Sequence, residues 1–184
     1  MNVYDFDNTI LRGDSTVRFY AYCLMRTPRM WLDIPAQIGS GALFLLKIRP
    51  KKVYKQRLLR FMQWLPNRDS MISDFWDANM KHVKGWYKRN HRADDVVISA
   101  SPEFLIRPAC ERLGILRVIA SPVDVKTGEF RGENCHGAEK VRAFRARFGS
   151  VQPEAFYSDS YSDAPMAEIS KKAFLVKGEK LLPW

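Results

Sequence analysis

The apolar positions of this chain change rhythm twice. Residues 2–4 read as a short strand running into Asp5. Helical spacing then takes over. Val17, Tyr20, Ala21, Leu24 and Met25 recur at i, i+3, i+4, i+7 and i+8, which predicts a helix capped by Asp14 or Ser15 and finished before Pro28. Pro50 is expected to open a second helix, with Tyr54, Leu58, Phe61, Met62 and Leu65 on one face. A third is expected from about Ser70, aligning Ile72, Phe75, Trp76, Val83, Trp86 and Tyr87.

Past Arg92 the rhythm becomes an alternation of short apolar runs with amphipathic stretches. "DDVVISAS" reads as a strand, and "SPEFLIRPACERLG" as a helix with Ser101 as its cap and Gly114 beyond its end. "LRVIAS" is the next strand, and "VDVKTGEFRG" a hairpin turning at Thr127 and Gly128. "GAEKVRAFRARFG" is a helix closed by Gly149. "EAFYSDS" is a strand ending in acid, "DAPMAEIS" a short helix and "KAFLV" the last strand. Such alternation predicts an α/β fold with a parallel sheet covered by helices. Residues 1–13 and 93–184 are expected to form this core. Residues 14–92 are expected to form an inserted, all-helical unit.

Charge sharpens that division. Lys and Arg outnumber Asp and Glu by 30 to 20. Between Ser15 and Arg92 the count is 16 against 4, and elsewhere it is 14 against 16. A basic module suits anionic partners: phosphorylated small molecules, acidic lipid or nucleic acid. Nucleic acid is the weakest of these, because Phe61, Trp64, Trp76 and Trp86 follow the helical period of a packed core. Three cysteines, none in a C-x-x-C pair, exclude a disulfide framework and a zinc knuckle and point to a reduced, cytoplasmic setting. The charged motif at Asp5 argues against a signal peptide. "MWLDIPAQIGSGALFLLKI" is interrupted by Asp33, Pro35, Gln37 and two glycines, so a buried helix is expected rather than a membrane span. Its basic flanks leave a peripheral position on the inner membrane surface open.

The candidate chemistry lies at the carboxyl ends of the strands, where parallel sheets bind ligands. The first strand delivers Asp5 and Asp7, the second Ser99, and the penultimate one Asp159, with Asp163 four residues on. Lys140 starts the helix before that strand. Carboxylates brought together repel one another, and a hard divalent cation resolves the repulsion. Magnesium is the natural choice, being held by one or two carboxylates plus substrate phosphate. Ser99 and Lys140 then suit the phosphate oxygens, so the set describes phosphoryl transfer. Asp5 is the expected nucleophile. Asp7 is the expected acid–base.

Four stretches carry a family resemblance. "DFDNT", "VVISAS", Lys140 in "CHGAEKVRAF" and "YSDSYSDAP" resemble, in order and spacing, the four motifs of the haloacid dehalogenase superfamily in its phosphatase form. The resemblance implies a Rossmann-like core and a helical cap inserted after the first motif. It also implies magnesium held by Asp5, Asp159 and the backbone carbonyl of Asp7, with Asp163 as a further acid of the metal site. Among the branches it is most similar to the phosphoserine-phosphatase-like one. Asp14 falls where that branch carries a substrate-contacting glutamate, and it also suits a helix cap. The expected activity is magnesium-dependent hydrolysis of a small phosphorylated metabolite through an aspartyl phosphate. The alternatives are a phosphatase of a phospholipid head group at the membrane surface, and a basic binding module with vestigial catalysis.

Overall fold

The computed structural model describes residues 1–46 and 51–184. The expected role of Pro50 as a helix opener, and the end of the apolar stretch at residues 47 and 48, lie outside them.

Six strands form one sheet in the order β3-β2-β1-β4-β5-β6. They are β1 (Asn2–Tyr4), β2 (Val96–Pro102), β3 (Arg117–Ser121), β4 (Ala155–Ser158), β5 (Ala173–Lys177) and β6 (Lys180–Pro183). β1 pairs in parallel with β2 on one side and with β4 on the other. The order reverses at β1, and that is where a doubly wound sheet opens a crevice at its carboxyl edge. "KAFLV" is not the last strand. β6 returns antiparallel along β5, with Leu175 opposite Leu182. Its residues are all exposed, so it shows no buried-strand pattern to read.

Alternation along the strands sorts the core onto two faces. Val3, Val96, Ile98 and Phe156 pack on one face with Phe144 of helix α7 (Ala138–Phe148) and Met166 of α8 (Ala164–Glu168). Tyr4 and Val97 face the other way. They pack with Leu105, Ile106, Ala109 and Cys110 of α6 (Glu103–Arg112) and with the segment between β1 and β2.

That segment contains α1 (Ser15–Leu24), α2 (Ile34–Leu45), α3 (Lys51–Leu59), α4 (Arg68–Asn79) and α5 (Gly85–Asn90). The predicted stripe on α1 is rotated. Ser15, Phe19 and Cys23 are buried, whereas Val17 is 57% and Met25 73% exposed. Aromatic packing of Phe19 on Phe61 and Phe75 decides the buried face, at centroid distances of 5.9 and 5.2 Å. The predicted third helix is two helices. Between α4 and α5, Val83 leaves helical geometry to bridge Leu11. Phe61, Met62 and Leu65 are buried as expected, but Arg60–Trp64 tighten into a 3₁₀ turn.

The segment and the sheet share one apolar cluster. Trp86 and Tyr87 pack over Tyr4, which stacks on its cross-strand neighbour Tyr157 at 4.6 Å. The Trp76 indole N–H donates to the Leu105 carbonyl of α6 at 2.6 Å. The hairpin tip closes on the same segment. Gly128 adopts φ +74°, and a Cβ there would lie 2.1 Å from the Leu59 carbonyl oxygen, so only glycine fits.

Candidate active site

β1 ends at Tyr4, and Asp5 begins a turn rather than continuing the strand. The Asp5 N–H still donates to Tyr157 in β4 at 2.9 Å. The amides of Ile10 and Leu11 then close back onto the Phe6 carbonyl at 2.9 and 3.0 Å. Asn8 takes a left-handed conformation, φ +55°, which asparagine tolerates better than most residues. Phe6 is fully buried, edge-on against Trp76 at 5.8 Å. The apolar side chain between the two aspartates is thereby anchored in the insert, while Asp5 and Asp7 acquire separate sets of partners.

Asp5 is buried against Lys140. The ammonium donates to its Oδ1 at 2.6 Å and to Asp163 Oδ2 at 2.7 Å. Ser158 supplies Asp163 with a further hydrogen bond at 2.8 Å. Lys140 sits in the first turn of α7, where the helix dipole disfavours a cation. Burial also works against its charge, but Asp5 and Asp163 outweigh both and hold Lys140 above the ordinary lysine range. Asp163 is thus placed as the anchor of Lys140.

Asp7 has a different environment. Its Oδ1 accepts the Ser15 amide at 2.7 Å, and its Oδ2 accepts the Ser101 hydroxyl. Burial, reinforced by the negative charge of Asp14, pushes the Asp7 carboxyl up to about 7. Asp14 itself is exposed and caps α1, accepting the Val17 amide at 2.9 Å.

Ser99 is buried in the middle of β2, where the regular register with β3 ends, and its Oγ accepts the Ser101 amide at 3.1 Å. Ser101 is not the cap of α6. β2 runs on to Pro102, which precedes the helix, and the Ser101 side chain is drawn to Asp7 instead. Its place two residues beyond Ser99 was a readable signal, since residues i and i+2 share a strand face. No sequence signal pointed to Ser15 or to Lys84. Lys84 is buried between α4 and α5 and donates its ammonium to the Asn8 carbonyl. The backbone around it is zipped to the turn, Lys84 N–H to Ile10 at 2.8 Å and Arg12 N–H to His82 at 2.9 Å.

Asp159 follows β4 and is half-buried. Burial raises its carboxyl above the ordinary range, its own backbone amide partly offsets this, and Asp163 raises it further. No trio of His, Cys, Asp or Glu side chains stands ready for a metal among the described residues. The donors at the β1/β4 crevice nonetheless suit a hard cation. They are all oxygen, and both the Asp5 and Asp159 carboxylates are destabilised in charged form by burial.

Comparison with known proteins adds to this geometry. The family model described as haloacid dehalogenase-like hydrolase matches residues 3–168. A probable phosphatase of Mycobacterium tuberculosis is 33% identical over 94 residues, covering 47% of this chain and 33% of the relative. A phosphoserine phosphatase of the same organism is 26% identical over 202 residues, covering 97% of this chain and 65% of the relative. The chain therefore spans between a third and about two thirds of the length of these curated relatives. Among solved structures, a protein of unknown function from Bordetella pertussis superposes with a TM-score of 0.73 at 16% identity, covering 94% of this chain and 87% of that one. A phosphoserine phosphohydrolase-like protein from Francisella tularensis superposes at 0.59 and 18% identity, covering 94% and 86%. These two likenesses establish the fold.

Proposed function

The chain belongs to the haloacid dehalogenase-like hydrolases, and on that premise we propose that it is a magnesium-dependent phosphomonoesterase working through an aspartyl phosphate on Asp5. The observation that carries the reading is the division of labour between two neighbouring carboxylates. Asp5 is held by a permanent cation, and Asp7 by a hydroxyl and an amide beside the charge of Asp14. Environments that set two carboxyls apart assign them different roles.

In the first step a carboxylate oxygen of Asp5 attacks phosphorus, and the ester oxygen leaves with the proton held by Asp7. A carboxyl raised to about 7 carries that proton on roughly half of the molecules at neutral pH, where an ordinary carboxyl carries almost none. In the second step Asp7 takes a proton from water, the hydroxide attacks phosphorus, and the bond to Asp5 breaks to release inorganic phosphate. Ser99 and Lys140 are assigned to the phosphate oxygens. Asp5, Asp159 and the carbonyl of Asp7 would hold magnesium, with Asp163 behind them as the partner of Lys140. The cation supplies neutralisation of phosphate charge when bound.

The helical segment is proposed to act as a cap. Asp5, Ser99 and Lys140 are 8%, 1% and 1% exposed, so substrate reaches them only when that segment moves, and its return excludes water. Lys55 marks the closing contact, reaching from α3 to the Ala100 carbonyl at 3.0 Å and to Asn134 Oδ1 at 3.3 Å. The proposed substrate class is a small phosphorylated metabolite.

The test is turnover of an aryl phosphate with magnesium by wild type and Asp5→Asn, together with acid-quench trapping of labelled phosphate on the chain. Asp5→Asn is expected to lose about 10³-fold or more in kcat and all of the trapped label. Retained turnover would overturn the reading.

A further inference from the structure

We propose that the outer face of the α2–α3 hairpin is a docking surface for an anionic lipid bilayer, lying in the plane of the interface. The observations that carry it are the character of α2, the exposed apolar side chains around it and the charge beside them.

Ile34–Leu45 contain no charged residue over twelve positions. A helix of that composition is normally buried. Here Pro35, Ala36, Ile38 and Gly39 are exposed. The inward side of the helix is identified by its contacts. Gln37 donates to Asp33 at 2.7 Å and to the Arg57 carbonyl at 3.0 Å, and a Cβ on Gly41 would lie 3.7 Å from the edge of the Tyr54 ring. At 100° per residue, Pro35 and Leu46 fall on the opposite side, and Ile38 lies on the flank between the two. The exposed apolar surface continues into the preceding turn. Trp31 is 58%, Leu32 83%, Ile38 68% and Leu46 68% exposed.

Charge selects the occupant. Arg26 and Arg29 are exposed immediately before Trp31, and exposed Arg60 lines a groove of about 630 Å³ between α2 and α3. The segment from Ser15 to Arg92 carries 16 basic against 4 acidic residues. A second copy of the chain would set this cationic surface against itself, which an isologous contact cannot relieve. An anionic bilayer complements both components, because its acyl boundary takes the apolar side chains and its headgroups take the arginines. No helix among the described residues is long and apolar enough to cross a membrane. α2 spans about 18 Å, well short of the roughly 30 Å hydrocarbon core.

The experiment is co-sedimentation of the whole chain with vesicles of phosphatidylcholine alone and of phosphatidylcholine mixed with phosphatidylglycerol, at low and high salt. Light scattering without vesicles reports the oligomeric state. Binding is expected to require phosphatidylglycerol and to fall with salt. It should also fall about tenfold or more in Leu32→Asp/Ile38→Asp, with melting temperature and turnover of a soluble aryl phosphate unchanged. Arg29→Glu/Arg60→Glu is expected to abolish the lipid selectivity while leaving both apolar side chains in place. Three results would each overturn the proposal. One is absence of binding at low salt, and another is equal binding by the aspartate variant. The third is a vesicle-independent dimer that this variant turns into a monomer. Sedimentation needs no turnover, so its outcome is separate from that of the phosphatase assay.

Discussion

The helices between β1 and β2 divide into two halves of opposite character. α1, α4 and α5 bury Phe19, Phe75, Trp76, Trp86 and Tyr87 against one another and against the sheet. α2 and α3 leave Ile38 and Val53 exposed, at 68% and 41%. Both halves are rich in apolar residues, so composition does not separate them. What separates them is connection to the site. The inner half reaches the Asp5–Asn8 turn through Trp76 on Phe6, Ser15 on Asp7 and Lys84 on Asn8. The outer half reaches across to the sheet through Lys55. One insert thus combines a half packed against the Asp5–Asn8 turn with an outer face whose apolar side chains are exposed.

Trp76→Ala strikes the comparison hardest. It removes a fully buried indole, its contact with Phe6 and a hydrogen bond to α6. The expected loss is about 3–5 kcal/mol, measured by chemical denaturation. Turnover should fall beyond the folded fraction, because Phe6 fixes the spacing of Asp5 and Asp7. A loss below about 1 kcal/mol would mean that the inner half is not packed against that turn.

Lys84→Met is the next largest. It removes the part-buried hydrogen bond from the Lys84 ammonium to the Asn8 carbonyl, and a hydrogen bond with a charged partner is worth about 1.5–3 kcal/mol. If Lys84 positions the Asp5–Asn8 turn, kcat should fall about tenfold with KM for an aryl phosphate little changed, and Lys84→Arg should restore part of it. A purely structural role would lower stability and leave kcat per folded molecule intact.

The strand ends were legible in the sequence because their signals are local. An apolar run that stops at an acid, as at Tyr4–Asp5 and Ser158–Asp159, marks a residue and its edge of the sheet together. The strand–helix alternation after Arg92 was legible for the same reason. The contacts of the insert were not. Whether Val17 or Phe19 faces inward depends on Phe61 and Phe75, which are distant in sequence. The break at Val83 depends on pairing with Leu11. Ser101 looked like a helix cap because serine before proline commonly is one, and Asp7 outcompeted that use.

Asp14→Asn tests a link that only the fold discloses. Asparagine caps a helix as well as aspartate, so α1 should persist while the charge that helps raise Asp7 disappears. The Asp7 carboxyl should then titrate lower. As the general acid it loses its proton earlier, so the basic limb of the pH–rate profile moves to lower pH. The same sign governs stability without divalent cation. A carboxyl raised from 3.8 to about 7 stabilises the fold below the ordinary carboxylate range, and that contribution is lost as pH rises through 7. The variant should therefore gain on wild type as pH rises from 4 to 7. An unmoved basic limb would detach Asp14 from the chemistry.

Ile38→Ser is expected to do least, and that makes it the sharpest check on the outer half. Ile38 is 68% exposed, on the flank of α2 about 100° round from Gln37. Its removal should change stability by no more than about 0.5 kcal/mol and leave turnover of a soluble aryl phosphate unaltered. A loss of about 2 kcal/mol or more, the range of a buried aliphatic side chain, would show that α2 packs against the rest of the chain in solution. The two halves of the insert would then be one wall, and the face offered to a bilayer would already be covered. Stability unchanged in solution but lower vesicle binding is the combination that an exposed apolar contact produces and a packing residue does not.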